Sequence, residues 1–495
     1  MKVNTSVLIG KVFCTASAMI ILTLISACTV QLPFQSSSVA MTNPELDLNS
    51  NVFFIGYRQN KTIELWNSTL QNNSQVPVYV EPAHYPFYAL PREEQFFLGN
   101  CNWTRECNIP LNDMPSQYSW GPLHVSPKKD MLAWTETAEF CPPQLGYCDG
   151  GVTRIIIWEV NQLEKKMVLE IPYHIDLLSR QNIFSLDWSP DNQDIGFIRS
   201  SKELGWSRLE ILNIISSSAA DIGDNVLDYK WSPNGDRIAL VIQISSGQKL
   251  QVVNKSGNLI YDMNENFRQI TDFSWSPNNQ QLVIAAVDMQ GHSGIYIVDS
   301  QYKKNWSLLG PSSDLLYYAA RWTKQGTKIA IVRSPTSQQT AQLLVTDILN
   351  PSNIQIMQSN SSVYVNPTNQ SVKLEWSPDG KIIAVNMESK GNTTSTGIDF
   401  FDPYKNVIVS RFDQNNFPID WSFSENGNAI LVYIQNQATE CSNKNISKLG
   451  LFYWSKNTFD EIGVVPLLSN DLKNCDLSIT SVVLGGLSQL QRPQP

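Results

Sequence analysis

The chain is short of the residues that most protein chemistry needs. It holds four histidines in 495 residues, His84, His124, His174 and His292. No two stand at metal-ligand spacing, which excludes a zinc site built from local sequence. Charged residues are only 16 % and no Lys/Arg run occurs, so nucleic acid is not expected as a partner. No Gly-x-Ser-x-Gly elbow, Walker loop, dinucleotide fingerprint or His-Glu-x-x-His appears. Gly291-His-Ser-Gly lacks the elbow's spacing. No catalytic residue, metal or cofactor is therefore assigned. Two openings remain: histidines from several units meeting on a common axis, and acid pairs of the glycosidase kind among 45 carboxylates.

Long apolar runs are also missing, with one exception at the start. Lys2 and Lys11 flank a positive region, and Val12 to Ile25 is apolar. A membrane-spanning helix needs about 20 apolar residues, so this stretch reads as a cleaved leader. It ends in Ile25-Ser26-Ala27-Cys28, which resembles the bacterial lipobox. The resemblance implies acyl chains on Cys28 as a membrane anchor; ordinary secretion is the alternative. Residues 1–27 are then the signal peptide and 28–48 a polar tether.

Six cysteines remain beyond Cys14 and Cys28, in neighbouring pairs: Cys101 with Cys107, Cys141 with Cys148, Cys441 with Cys475. An even count in an exported chain reads as disulfides, although six cysteines allow 15 pairings. No Cys-x-x-Cys is present, which disfavours zinc as the reason for them.

What the chain has in quantity is one repeated turn. Trp188-Ser-Pro-Asp-Asn, Trp231-Ser-Pro-Asn-Gly, Trp275-Ser-Pro-Asn-Asn and Trp376-Ser-Pro-Asp-Gly are its clear copies. Trp322-Thr-Lys-Gln-Gly, Phe423-Ser-Glu-Asn-Gly and Val125-Ser-Pro-Lys-Lys are looser ones. Pro presets φ, Asp or Asn bonds nearby backbone, and Gly or Asn accepts the left-handed conformation. Asp191 and Asp379 thus have a structural job. An apolar strand follows each turn, such as Gln281–Val287, then a second strand ending in Asp or Asn, such as Gly294–Asp299. The turn aromatics Trp188, Trp231, Trp275, Trp322, Trp376 and Phe423 are expected between neighbouring sheets. Successive turns lie 43 to 63 residues apart, close to the length of one four-stranded blade. The reading is an all-β propeller of antiparallel four-stranded blades, with a solenoid as its rival.

The turn, the Lys381-Ile-Ile-Ala-Val strand and the Gly294–Asp299 strand resemble the TolB-type, WD-repeat-like propeller repeat over about residues 119 to 465. Such blades serve as binding platforms, enzyme scaffolds and gates alike, so the resemblance bears on fold. Seven turns give seven blades. Asn51–Tyr57 and Thr62–Trp66 read as the middle strands of one more, completed by Leu477–Gly485, so eight blades are favoured and seven are the alternative.

The propeller is expected over 49–487, with a disordered tail at 488–495 and an insertion at 81–120 that fits no blade. The insertion carries Tyr85, Phe87, Tyr88, Trp103 and Trp120 as candidate binding aromatics, or as a lid packed on the ring. The function that follows is a lipid-anchored, extracytoplasmic binding module for a protein or glycan of the cell envelope. The alternative is a polysaccharide lyase or glycoside hydrolase with its site at the ring axis. A purely structural envelope component is the third reading.

Overall fold

The computed structural model divides the chain into Met1–Glu45 and Leu46–Pro495. The described residues all belong to the second unit, between 51 and 485. Residues 87–107, 111–115, 141–150, 174–181, 389–395, 435–447, 465–476 and some shorter stretches lie outside the described set.

The described strands form six four-stranded sheets, two five-stranded ones and a small two-stranded one, His84–Pro86 with Asn108–Pro110. The eight larger sheets are numbered here in chain order, and their strands a to d from the innermost outwards. Sheet 1 is made from both ends of the chain. Leu477–Gly485 supplies strand a, and Asn51–Arg58, Thr62–Thr69 and Gln75–Pro82 supply b, c and d. Sheet 2 runs from Ser116–Trp120 and His124–Val125 to Glu164–Tyr173. Sheets 3 to 8 begin with Asn182–Trp188, Val226–Trp231, Gln269–Trp275, Leu315–Trp322, the pair Ser362–Val363 and Leu374–Trp376, and Pro418–Phe423.

Strands a face each other at the centre. Those of sheets 4 and 5, 5 and 6, and 6 and 7 touch directly. Leu477–Gly485 touches both His124–Val125 of sheet 2 and Pro418–Phe423 of sheet 8. The head-to-tail sheet therefore closes the ring, and no bare edge is left at the join. This is a β-propeller.

The repeated turn sets the register of each sheet. The turn aromatic pairs with the residue seven places on: Trp188 with Ile195, Trp231 with Ile238, Trp275 with Leu282, Trp322 with Ile329, Trp376 with Ile383 and Phe423 with Ile430. Val125 and Leu132 do the same. The residue closing the turn has positive φ at Asn192, Asn279, Gly235, Gly326, Gly380 and Gly427, between 61° and 75°. The Ser after the aromatic locks the loop. Ser276 is buried, its hydroxyl donating to Asn278 Oδ1 at 2.5 Å and accepting from the Gln281 N–H at 2.9 Å. Ser189 and Ser377 repeat both bonds. The turns also meet one another, since Gly235, Gly326 and Gly427 lie against Pro190, Pro277 and Pro378 of the preceding sheet.

The core is a set of layers between sheets. Leu282, Ile284 and Ala286 face sheet 4, while Val283 and Ala285 on the same strand face sheet 6. Both faces are buried, so strand b reads as an unbroken apolar run rather than an alternating one. Each turn aromatic enters the layer towards the preceding sheet, as Trp231 does against Ile211 and Trp275 against Val252. Three of the indole N–H groups cross that gap, Trp188 donating to His124 O and Trp275 to Lys230 O, both at 3.0 Å, and Trp376 to Arg321 O at 3.3 Å, whereas those of Trp231 and Trp322 are buried without a partner. In sheet 8 the aromatic work is divided. Trp421 is buried and donates to Asn386 Oδ1 at 2.6 Å, while Phe423 holds the turn register at 6.2 Å from it, edge to face.

The insertion is narrower than the sequence reading drew it. Residues 81 and 82 end strand d of sheet 1, and Ser116–Trp120 pairs with Met131–Phe140 in sheet 2. The alternation in Ser-Gln-Tyr-Ser-Trp is a strand pattern that its aromatic content obscured.

Candidate functional site

Strand a lines the axis, and the residue just before each turn aromatic supplies a row of polar side chains there. These are His124, Asp187, Lys230, Ser274, Arg321, Glu375 and Ser422. Asp228 and Asp272 stand two places earlier on their strands. A recurrent irregularity precedes the aromatic: the register shifts between Val226 and Asp228, Ile270 and Asp272, and Tyr317 and Ala319. Such bulges twist the strand and re-aim its side chains.

The centre of the row is a carboxylate held between two cations. Lys230 Nζ donates to Asp272 Oδ1 at 3.1 Å and also to Phe273 O. Arg321 Nη1 donates to Asp272 Oδ2, and the Ala320 N–H reaches the same oxygen at 3.0 Å. Three successive sheets are tied together at the axis by this one side chain. Lys230 also sits 4.6 Å from the Phe273 ring centroid.

Asp228 of sheet 4 and Arg321 of sheet 6 feel each other's charge across the intervening sheet, and so do Lys230 and Arg321. The shared Asp272 carboxylate brings them within range. The groups are enclosed by protein yet reached by water. Lys230 keeps 31 % of its side chain accessible, and Asp187 is exposed along the channel. Enclosure shifts their protonation. Desolvation, then the Arg321 charge, lower the Lys230 ammonium to about 7. The direct Asp272 contact opposes this, but that carboxylate also answers the Arg321 charge, so the net shift is downward. Desolvation raises the Asp187 carboxyl to about 6 against the Trp188 N–H, and raises Asp228 as well. Burial lowers the His124 imidazole to about 4. A lysine and a carboxyl shifted towards each other in one concavity mark a candidate recognition or proton-transfer site. Water in the channel screens the exposed Asp187, so its shift has less energetic weight than that of a sealed carboxyl.

The earlier site candidates are distributed differently. Cys28, Cys101, Cys107, Cys141, Cys148, Cys441 and Cys475 lie outside the described residues, as do Phe87, Tyr88 and Trp103. Tyr85 is in the short strand paired with Asn108–Pro110, and Trp120 ends the strand paired with Met131–Phe140. Among the described residues, no group of three or more His, Cys, Asp or Glu could hold a metal. The axial row was not foreseen from the sequence. Its signal was present in the charge before the turn aromatic at Asp187, Lys230, Arg321 and Glu375, but only the ring brings these positions together.

No family model matches the sequence, and no curated protein matches it. Solved structures resemble it in backbone. A prolyl endopeptidase is 8 % identical with a TM-score of 0.48, over 70 % of this chain and 49 % of that one. This chain thus spans about half the length of the peptidase. The Dos1 propeller is 12 % identical with a TM-score of 0.47, over 78 % and 90 %. TolB from Acinetobacter baumannii is 14 % identical with a TM-score of 0.35, over 73 % and 78 %. The propeller assignment stands on this chain's own sheets.

Proposed function

We propose that this chain is an eight-bladed, lipid-anchored propeller of the cell envelope that binds a protein or glycan partner at one mouth of its axial channel. The carrying observation is the row of charged side chains at the axis, contributed by successive sheets and accessible to water. A rigid ring fixes such groups, and fixed polar groups in a concavity provide specific recognition. A pull-down and a glycan array with the wild-type chain and the Lys230→Met and Arg321→Met variants test this. A partner whose binding weakens by about tenfold in either variant is expected, in line with loss of one charged contact. Equal binding by all three chains would remove the axis from the function.

The anchor follows from Ile25-Ser26-Ala27-Cys28. Mass spectrometry of the mature amino terminus should find acyl chains on Cys28, and an unmodified thiol there ends that part. The three cysteine pairs are read as disulfides, to be checked by peptide mapping without reductant.

One observation favours a second reading. Asp187 and Asp228 are axial carboxyls on successive sheets, both raised by desolvation; the Asp228 charge also raises Asp187, and both act on the buried Tyr229 between them. A carboxyl held near 6 can donate a proton to a glycosidic oxygen. A polysaccharide screen in which Asp187→Asn abolishes turnover would establish the enzyme; activity at background for the wild type removes it.

A further inference from the structure

The turn that closes each c–d hairpin lies at the same end of its sheet as the Trp turn. The register requires it, since the start of strand b pairs with the end of strand c: Asp194 with Asn213, Gln281 with Asp299, Lys328 with Asp347. On this turn face the outer rim carries large apolar side chains in an ordered row. Ile215 is 77 % exposed, Leu259 56 %, Tyr302 67 %, Leu349 92 % and Tyr404 52 %. These are the five most exposed large hydrophobic residues among the described ones, and sheets 3 to 7 supply one each.

Single exposed apolar residues are ordinary. Five from consecutive sheets at one level of one face are not explained that way. Four are held out by the tips of their own c–d hairpins, and Leu259 opens strand d directly after its hairpin. Asn213 Oδ1 accepts from the Ile215 and Ser216 N–H groups, Asp299 Oδ1 from Gln301 and Tyr302, Asp347 Oδ1 from Leu349, and Asp402 Oδ1 from Tyr404 and Lys405. The acidic groups beneath the tips therefore spend acceptors on backbone, while Lys303 and Lys405 flank Tyr302 and Tyr404. Tyrosine, aliphatic and lysine side chains together suit the water–lipid boundary, with rings and stems below the headgroups and ammonium groups among them.

Where the chain enters the ring selects the occupant. Asn51 pairs with Gly485 and Thr69, at the start of strand b and hence on this same turn face. Residues 29–50 connect it to Cys28, a reach of at most about 75 Å when fully extended. We propose that the rim formed by Ile215, Leu259, Tyr302, Leu349 and Tyr404 docks on the lipid surface, seating the propeller turn face down. The proposal rests on the lipid-anchor reading for its orientation and adds to it a second membrane contact. The acyl chains hold the molecule near the bilayer, and the rim fixes which face meets it. The opposite mouth of the channel then faces away from the membrane.

Tyrosine iodination and hydroxyl-radical footprinting, read by mass spectrometry, test this on the full-length acylated chain on vesicles of phosphatidylethanolamine and phosphatidylglycerol. The Cys28→Ala chain without vesicles is the reference. Labelling of Tyr302, Leu349 and Tyr404 is expected to fall roughly threefold or more on vesicles, with Met289 on the opposite face unchanged. A rim as open on vesicles as in solution overturns the proposal, as does protection of Met289 instead. A rim closed only after envelope proteins are added is a protein site and also overturns it. Substituting Tyr302→Ser and Leu349→Ser at these exposed tips leaves the core intact, and should lower vesicle co-flotation of the Cys28→Ala chain by a similar factor. Acylation is measured on the same samples. An unmodified Cys28 with a protected rim sinks the anchor alone, and an acylated chain with an open rim sinks the docking alone.

Discussion

Asp399 carries a buried charge away from the axis. It is fully buried, and Arg411 grips it through Nε at 2.5 Å and Nη2 at 2.7 Å, with Ser359 Oγ donating at 3.0 Å. Removing one partner of such a pair strands the other charge. Arg411→Met should cost about 3 kcal/mol in unfolding free energy, and adding Asp399→Asn should restore part of it. Chemical denaturation of the two variants checks both statements. The axial groups make a pH prediction. His124 titrates at about 4 in the fold and 6.5 outside it. Between those values the unfolded chain binds the extra proton, so stability falls as pH falls from 6.5 to 4. Asp187 is displaced the other way, from 3.8 to about 6. There the folded chain binds the proton, so stability rises as pH falls through that window. The two slopes oppose and flatten the wild-type profile. Asp187→Asn should unmask the acid-side loss, and His124→Gln the opposite trend, in melting temperatures measured from pH 4 to 7.

Within an element, the sequence motif and the hydrogen bonds explain each other. Ser276→Ala removes the acceptor of the Gln281 N–H inside a buried turn. The orphaned donor should cost about 1–3 kcal/mol, visible as a lowered melting temperature. Gly247 makes a sharper case. Its φ is 130°, and a Cβ there would come within 2.2 Å of Phe267 O, a backbone atom that cannot swing aside. Gly247→Ala should therefore destabilise by more than about 1 kcal/mol, the ordinary penalty for a left-handed alanine. At Gly291 φ is also positive but nothing lies within 4 Å, so Gly291→Ala should stop near that ordinary penalty. Strands b and c were legible because burial on both faces makes them apolar throughout. The outer strands were not: Ser218–Asp224, with only Ile222 buried, carries no pattern that separates it from a loop.

For the whole molecule, closure is the property to probe. The ring is completed by pairing residues more than 400 positions apart, Asn51 with Gly485. Removing residues 477–495 would strip strand a from sheet 1 and leave an open edge beside sheets 2 and 8. Such an edge pairs with other chains. The shortened protein should melt less cooperatively and self-associate, as followed by calorimetry and size-exclusion chromatography; unchanged behaviour in both would mean that the head-to-tail strand does not hold the ring.

The sequence alone determined the repeat, its turn chemistry and the strands beside the turn, because these are local and recur. It also exposed the pairing of tail with head, since a lone apolar strand at Leu477–Gly485 needs a partner. Tertiary structure alone decided the two surfaces on which the proposed functions rest. Asp187, Lys230, Asp272 and Arg321 are 42 to 49 residues apart from one to the next and unremarkable in sequence. Ile215, Leu259, Tyr302, Leu349 and Tyr404 are equally scattered. A radial arrangement sends the first set inward to a shared channel and the second outward to a common rim. No local pattern encodes that meeting, because it depends on how many sheets the ring holds and how each is turned.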